Sequence, residues 1–436
     1  MEVEKINNKS IPLNWGIDSL ENIFDIVSGS TPSTENAEFW DGELNWITPN
    51  DLNKIKHVYI SGSERKITDK GLRNCSAQLI PKNAIVMSSR APIGYLAIAK
   101  QEFTTNQGCK SFILKNTSKH CSEFHFFNLS FNMKKIKDLG TGTTFMEVSK
   151  KDLNSVEVSF PKSLNEQLKI ADILSTIDKG IEQTEILIAK YKSIKKGLMK
   201  DLLTYGIDKD GNIRNLKTHS FVKKNGMVVP AEWEVKRVDE LSNVTGGKRL
   251  PAGHDYSENR NGYKYLRVTD FYNKNIDYQN LENLEESTFK ILDRYEIFNK
   301  DLFISIAGSI GYVGVLNSNI SDRIILTENA LRINIFGDIL PEYLTLEINS
   351  EVVQKQIWSE IGTGGGVPKL AMHRVKSLLI PHPIITEEFN EQKKIVDLLN
   401  AKDNLIKSEE TNLAKLYKQK QGLMQDLLTG KIRVKI

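Results

Sequence analysis

The sequence predicts an α+β protein made of two copies of one unit, each a compact domain of short strands and helices followed by one long helix. Three observations lead there: an internal repeat, an apolar heptad period confined to two segments, and short β-like runs between them. The repeat is plainest at the helix ends. GLMKDLLTYG at 197 and GLMQDLLTGK at 422 stand 225 residues apart (422 − 197), and NEQLKIADILSTID (165–178) meets NEQKKIVDLLNAKD (390–403) at the same offset. Upstream, IPLNW (11–15) answers VPAEW (229–233) and WITPNDL (46–52) answers YLRVTDF (265–271). IPKNAIVMSSRAPIGYLAIA (80–99) answers IFNKDLFISIAGSIGYVGVL (297–316), and LGTGTTFMEVSKKDLNSVEVSFP (139–161) answers IGTGGGVPKLAMHRVKSLLIPHP (361–383). Self-similarity of this kind marks a duplicated architecture.

The least divergent segments carry the helical period. In the first, Ile170, Leu174, Ile177, Ile181, Ile188, Tyr191, Leu198 and Leu202 recur at alternating steps of four and three, with Thr184 and Lys195 as polar members. The second gives Ile395, Leu399, Ile406, Leu413, Leu416, Leu423 and Leu427, with Lys402, Glu409 and Lys420 as polar members. That spacing is the seam of a left-handed coiled coil, so each helix requires a partner; polar members at matching steps would fix the register. Neither segment contains proline, and at about 38 residues each would be roughly 55 Å long. The alternative is two unrelated surface helices packed on separate cores.

Elsewhere the apolar runs are short: NAIVMSS, YLAIA, KSFIL, VEVSF, DLFISIA, YVGVL, RIIL, LRINIF and SLLIPHP. Glycine, proline and asparagine bound them, as they bound strands. CSEFHFFNLSFNMKKIKDL (121–139) and PEYLTLEINSEVVQKQIWSEI (341–361) read as shorter helices. The expected layout is a first domain over 1–162, a long helix over 163–204, a polar linker over 205–228, a second domain over 229–384 and a second long helix over 385–430.

Composition sets the outer limits. A length of 436 residues gives about three domains on the usual size prior. The 39% hydrophobic and 26% charged residues are ordinary for a globular protein, and no apolar stretch is long enough to span a bilayer. The start MEVEKINNKS lacks the apolar core of a secretory signal, which predicts a cytoplasmic protein. Cys75, Cys109 and Cys121 have no paired or metal-like spacing and read as thiols in a reducing compartment. A net charge of +4 permits a polyanionic partner without requiring one.

Two variable domains, each closed by a G-T-G loop, a short strand ending in proline, an N-E-Q helix start and a helix ending in G-L-M-x-D-L-L-T, resemble the specificity subunit of a type I restriction-modification enzyme. The resemblance covers nearly the whole chain. It implies two target recognition domains, each reading one half of a split DNA sequence. It also implies that the two long helices pair as an antiparallel coiled coil with a pseudo-two-fold relation, serving as spacer and dock. The implied partners are double-stranded DNA, two DNA methyltransferase (modification) subunits and restriction/translocase subunits, with no membrane. No cofactor is expected in this chain; S-adenosylmethionine, ATP and Mg would be held by partner subunits. Because the domains differ in sequence, the target is expected to be asymmetric. Half-sites one helical turn apart lie roughly 34 Å from centre to centre, a span the helices can bridge as a ruler.

Phosphate contacts draw on Lys, Arg, Ser, Thr, Asn and backbone amides, and base reading in the major groove favours Arg, Lys, Asn and Gln. The candidates are Arg65, Lys66, Arg90, Asn106, Gln107, Lys110, Thr141, Thr143 and Thr144 in the first domain. In the second they are Lys248, Arg249, Arg260, Arg267, Asn329, Lys369 and Arg374. The GTGTT and GTGGG loops would either present backbone amides to phosphate or serve as plain turns. For each Arg or Lys the competing reading is a solvated surface charge. No N-P-P-Y or D-P-P-Y tetrapeptide, phosphate loop, H-E-x-x-H or close Cys/His cluster occurs, so no catalytic or metal site is expected in this chain. The rival function is a coiled-coil scaffold carrying two domains for ligands other than DNA.

Overall fold

The computed structural model describes residues 3–6, 9–90, 92–141, 146–272, 275–276, 278–316, 321–359 and 368–436. Two compact units divide the chain. Unit 1 comprises residues 1–188 with 408–436, and unit 2 comprises residues 189–407. The division falls inside both long helices, Leu164–Tyr205 and Glu391–Leu428, so each unit holds the start of one helix and the end of the other.

In unit 1 a five-stranded sheet runs in the order Phe24–Ser28, Cys109–Leu114, Ile85–Ser88, Leu96–Ala99, Tyr59–Ile60. Its pairs are antiparallel except the last. Strand alternation divides the side chains between two cores. Ile85, Met87 and Phe112 join Phe124 and Phe127 of the helix Ser122–Phe131, while Val86, Ala97 and Cys109 join Ile47 and Phe103. The unit also holds a three-stranded sheet, Phe103–Thr105, Trp40–Ile47, Lys66–Ile67, the pair Trp15–Ser19 and Glu157–Pro161, and the hairpin Val3–Ile6 with Lys9–Pro12.

Unit 2 repeats the plan. Ser242–Gly246, Ala330–Ile335, Leu302–Ser305 and Val313–Val315 form one sheet; Glu282–Asn283, Tyr263–Leu266, Arg323–Leu326 and Glu296–Ile297 form another. Leu302 and Ile304 face the core containing Tyr343 and Leu344, whereas Phe303 faces the second core with Leu266 and Ile324.

The helix segments pair antiparallel within each unit. In unit 1, Lys420 Nζ lies 2.6 Å from Asp178 and Tyr417 donates to Glu185 at 2.7 Å, so one helix ascends as the other descends. Leu427 and Leu428 share a core with Ile170 and Leu174. In unit 2, Lys195 bonds Asp403, and Leu198, Leu202 and Leu203 pack with Ile395 and Leu399. These two ion pairs are one contact written twice, since Lys420 and Asp403 lie 225 residues beyond Lys195 and Asp178 (420 − 195, 403 − 178). Along the seam Ile170, Leu174, Ile181, Ile188, Leu202, Ile395, Leu399, Ile406 and Leu427 are buried; Ile177, Tyr191, Leu198, Leu413, Leu416 and Leu423 are half-buried.

The N-E-Q helix starts have a physical reason. Gln167 accepts from Cys121 N at 2.9 Å and donates to the carbonyls of Lys119 (2.9 Å) and Pro161 (2.8 Å). Gln392 does the same with Leu340 N (2.8 Å), Asp338 O (3.0 Å) and Pro383 O (2.8 Å). Each buried amide thus fastens its domain to the first turn of its helix. Beside it Glu166 accepts from Trp15 Nε1 at 3.4 Å and from Arg433 at 2.6 and 2.8 Å. Glu391 accepts from Trp233 Nε1 at 3.3 Å, Ile207 N at 2.8 Å and Arg214 at 2.6 and 2.9 Å. Each clamping arginine follows the opposite helix in sequence, Arg433 after the second and Arg214 after the first. The stretch 205–228 therefore does more than connect: it holds Arg214 and the strand Phe221–Lys224, which pairs with Met227–Pro230. Its counterpart is split between the two ends of the chain, making the repeat circular.

Candidate nucleic-acid interface

The rim of unit 1 is built where the strand Phe24–Ser28 ends. A Cβ on Gly29 would lie 2.1 Å from the Asn106 carbonyl oxygen and 2.3 Å from that of Thr105, so this close approach requires glycine. Ser30 N then donates to Thr105 O at 2.9 Å, and Trp46 Nε1 donates to Ser30 O at 3.0 Å. Trp40 Nε1 ties Ser33 O at 3.0 Å. Thr31 donates to Gln107 Oε1 at 2.5 Å, and Asn106 Oδ1 accepts from Gly108 N at 3.0 Å. Over the two indoles, which meet edge to face at 5.0 Å, lies Arg65, its guanidinium 3.6 Å from the Trp40 ring centre and 5.6 Å from that of Trp46. Lys66, next along, reaches Glu43 at 3.6 Å.

Unit 2 keeps the backbone plan and changes the side chains. A Cβ on Gly247 would lie 2.0 Å from Thr327 O. Lys248 N donates to Leu326 O at 2.9 Å, and Tyr265 OH donates to Lys248 O at 2.7 Å, in the part played by Trp46. Where Thr31 meets Gln107, Arg249 Nε donates to Glu328 Oε1 at 2.8 Å. This hydrogen bond, together with the Glu328 charge, raises the guanidinium's pKa above its ordinary value. Arg267 is occupied as well: it bonds Asp270 at 2.7 Å and Glu282 at 2.6 Å, with the Tyr256 ring 5.6 Å away.

A second cluster gathers Arg90, Lys110 and Thr141 around Glu147. Arg90 Nε donates to one carboxylate oxygen at 2.9 Å, Lys110 Nζ to the other at 3.3 Å, and Thr141 exchanges backbone bonds with Glu147. Lys110 is buried, so an unpaired ammonium there would be costly; Glu147 supplies its counter-charge. In unit 2, Ala307 and Lys369 form the corresponding bridge, and Lys369 is exposed.

Of the remaining candidates, Arg260 is exposed, Asn329 uses its carbonyl to accept from Ile306 N at 2.8 Å, and Arg374 is half-buried in the short helix Met372–Lys376. Thr143 and Thr144 lie outside the described residues, as does the GTGGG loop. Sequence reasoning passed over Trp40, Trp46, Thr31, Tyr265 and Glu147. The alignment of WITPNDL with YLRVTDF held a signal for Trp46 and Tyr265; nothing in the sequence marked Glu147. Among the described residues no group of three or more His, Cys, Asp or Glu side chains is disposed to hold a metal ion, and no helix is long and apolar enough to cross a membrane.

Comparison with known proteins agrees with this duplicated plan. Residues 12–190 and 230–418 each match the type I restriction modification DNA specificity domain. The MjaIX specificity subunit of Methanocaldococcus jannaschii is 37% identical over 264 residues, 59% of this chain and 58% of that protein. The MjaVIII specificity subunit of the same organism is 25% identical over 99% of this chain and 96% of its own length. The type I S subunit structure from M. genitalium superposes with a TM-score of 0.54 at 17% identity, covering 97% of this chain and 98% of that one. A chain from a structure of type I restriction-modification complex assembly and conformational transition gives 0.61 at 14% identity, covering 97% and 99%. With both repeats matched and the fold shared over 97% of its length, this chain belongs to the type I restriction-modification DNA specificity family.

Proposed function

We propose that this chain is the non-catalytic DNA-recognition subunit of a cytoplasmic type I restriction-modification complex, reading an asymmetric split target with one half-site per unit. The observation that carries this reading is the pairing of one backbone frame with two different rims. Gly29 and Gly247 hold equivalent loops, yet those loops present Thr31 with Gln107 in unit 1 and Arg249 with Glu328 in unit 2. Different hydrogen-bonding groups on one scaffold suit two readers of different base sequences. The paired helices would dock two modification subunits, which supply S-adenosylmethionine and the methyl transfer, while a restriction subunit supplies ATP- and Mg-dependent cleavage.

The test is a map of modified bases in DNA from cells carrying this chain with its modification subunit, against cells lacking this chain alone. One asymmetric split motif with a fixed unread gap, lost on deletion, is the expected outcome. Unchanged methylation, or an unsplit motif, would move the scaffold reading to first place.

A further inference from the structure

Among the cationic candidates, Lys66, Arg90, Lys110, Arg249 and Arg267 each engage a carboxylate. Arg65 stands apart. It is exposed, and among the described residues no carboxylate lies within ion-pair distance, yet it is not loose. Its guanidinium rests on the face of the buried Trp40 and beside the buried Trp46, whose indole N–H groups are both spent on the adjoining 30–33 loop. Its own backbone is fixed too, since its carbonyl accepts from Trp46 N at 3.3 Å and from Ser63 Oγ at 2.6 Å. Arg65 is thus held by stacking, which uses none of its N–H donors.

Lying 3.6 Å from the Trp40 ring centre limits how the fork can turn, and this favours one of the two kinds of nucleic-acid contact. A phosphate needs a nearby positive charge of almost any orientation, which an unanchored lysine supplies. The O6 and N7 acceptors of guanine are best met by two coplanar donors at a set angle, which an oriented guanidinium presents better than a lysine ammonium. Resting on the DNA-reading function proposed above, we infer that Arg65 is a specificity-determining residue that reads one guanine in the half-site of unit 1.

Unit 2 has no such reader in that place. Strand register puts Lys66 opposite Asn45 and Asn283 opposite Lys264, so Glu282 occupies the position of Arg65. The arginine near it, Arg267, spends its donors on Asp270 and Glu282. This guanine contact therefore has no counterpart at the equivalent position of unit 2.

The test uses this chain in complex with its modification subunits, as the wild type and as Arg65→Ala and Arg65→Lys. Modified-base mapping of the wild type must first give a split motif; an unsplit motif overturns the function on which this inference rests. Given a split motif, both variants are expected to relax one guanine in one half-site and leave the gap and the other half-site as they were. Binding to synthetic duplexes then isolates the contact. Replacing that guanine by 7-deazaguanine removes N7, which should weaken wild-type binding roughly 10- to 100-fold and Arg65→Ala hardly at all. An unchanged motif in the variants overturns the assignment while leaving the split-target function intact. So does a uniform weakening across all sequences, whether from a phosphate contact or from a damaged domain.

Discussion

The two units differ least where a domain meets its helix and most at the rim. Gln167 and Gln392 make the same three hydrogen bonds, and Glu166 and Glu391 take the same indole and the same bidentate arginine. At the rim, Arg90 with Glu147 becomes Ala307 with Lys369, and Thr31 with Gln107 becomes Arg249 with Glu328. Backbone hydrogen bonds persist across that change: Val148 N to Ser89 O at 2.9 Å corresponds to Leu370 N to Ile306 O at 2.8 Å. The variable chemistry thus hangs on an invariant ladder, and side chains there can be exchanged without rebuilding the strands beneath them.

The clamps should show the largest effect and also the sharpest inequality. The Arg214 side chain is 6% exposed and that of Arg433 is 34% exposed, while both acids are buried. Glu391→Ala would strand a buried cation and is expected to cost about 3–5 kcal/mol; Glu166→Ala leaves an arginine that can turn to water and should cost about half as much. Hydrogen exchange at the strands Trp233–Arg237 and Trp15–Ser19 reads the two units separately. Equal losses would break the claim that the second clamp is the tighter one.

A buried acid gives the next contrast. Asn128 in unit 1 donates to Ser159 O at 2.8 Å; the same place in unit 2 holds Glu347, bonded by Tyr343 OH at 2.8 Å through Oε1, with no hydrogen-bond partner for Oε2 among the described residues. Burial pushes the Glu347 carboxyl up from 4.5 to about 8, despite the opposing pull of the Tyr343 hydroxyl and the nearby Ser350. Between those values the folded state keeps a proton that the unfolded state has released, so stability falls as pH rises and the penalty is complete above about pH 8. Glu347→Gln, which installs the amide of unit 1, should flatten that decline and stabilise unit 2 by on the order of 2 kcal/mol at high pH. Parallel pH profiles for wild type and variant would contradict the neutral-acid account.

Exchanging rim chemistry tests whether ladder and readers are separable. Arg249→Thr with Glu328→Gln transplants the contact of unit 1 into unit 2. Under the proposed function it should alter the second half-site by about 1–3 kcal/mol of discrimination at one base pair and leave the first half-site and the gap untouched. Glu328→Gln alone removes the counter-charge of Arg249 and should steepen the salt dependence of binding by up to about one phosphate's worth. Modified-base mapping and a salt series check the two parts. A change in the first half-site would mean that the rims are not independent.

Much of the frame was legible in the sequence. The nine short apolar runs are all strands, because β-branched residues between turn formers have few other ways to bury themselves. The candidate interface was less so, for a physical reason. Arg90 finds Glu147 across 57 residues and Arg249 finds Glu328 across 79, pairings that no local period encodes. Charge identity alone therefore nominated arginines that fold into ion pairs, and passed over the tryptophans that leave Arg65 available. The clamps escaped notice because Arg214 and Arg433 stand 219 apart (433 − 214), out of step with the 225 of the helices.

The smallest expected effect is also the most specific. Lys195 and Lys420 are 22% and 28% exposed, so each ion pair should contribute only about 0.3–1 kcal/mol and be weakened by salt. Their value is in register, because a slip of either helix would set unlike steps of the seam opposite one another. Lys195→Asp places two acids face to face in unit 2 and should destabilise that pairing by about 1 kcal/mol. Asp403→Lys in the same chain should restore it, whereas Asp178→Lys should not, since Asp178 faces Lys420 in unit 1. The two aspartates occupy identical places in the repeat, so a bridge read from sequence equivalence alone would allow either rescue. If both rescue equally, in thermal unfolding at low salt, the constraint is net charge rather than partner; rescue by Asp403→Lys alone shows that each repeat's lysine is matched to the other repeat's acid.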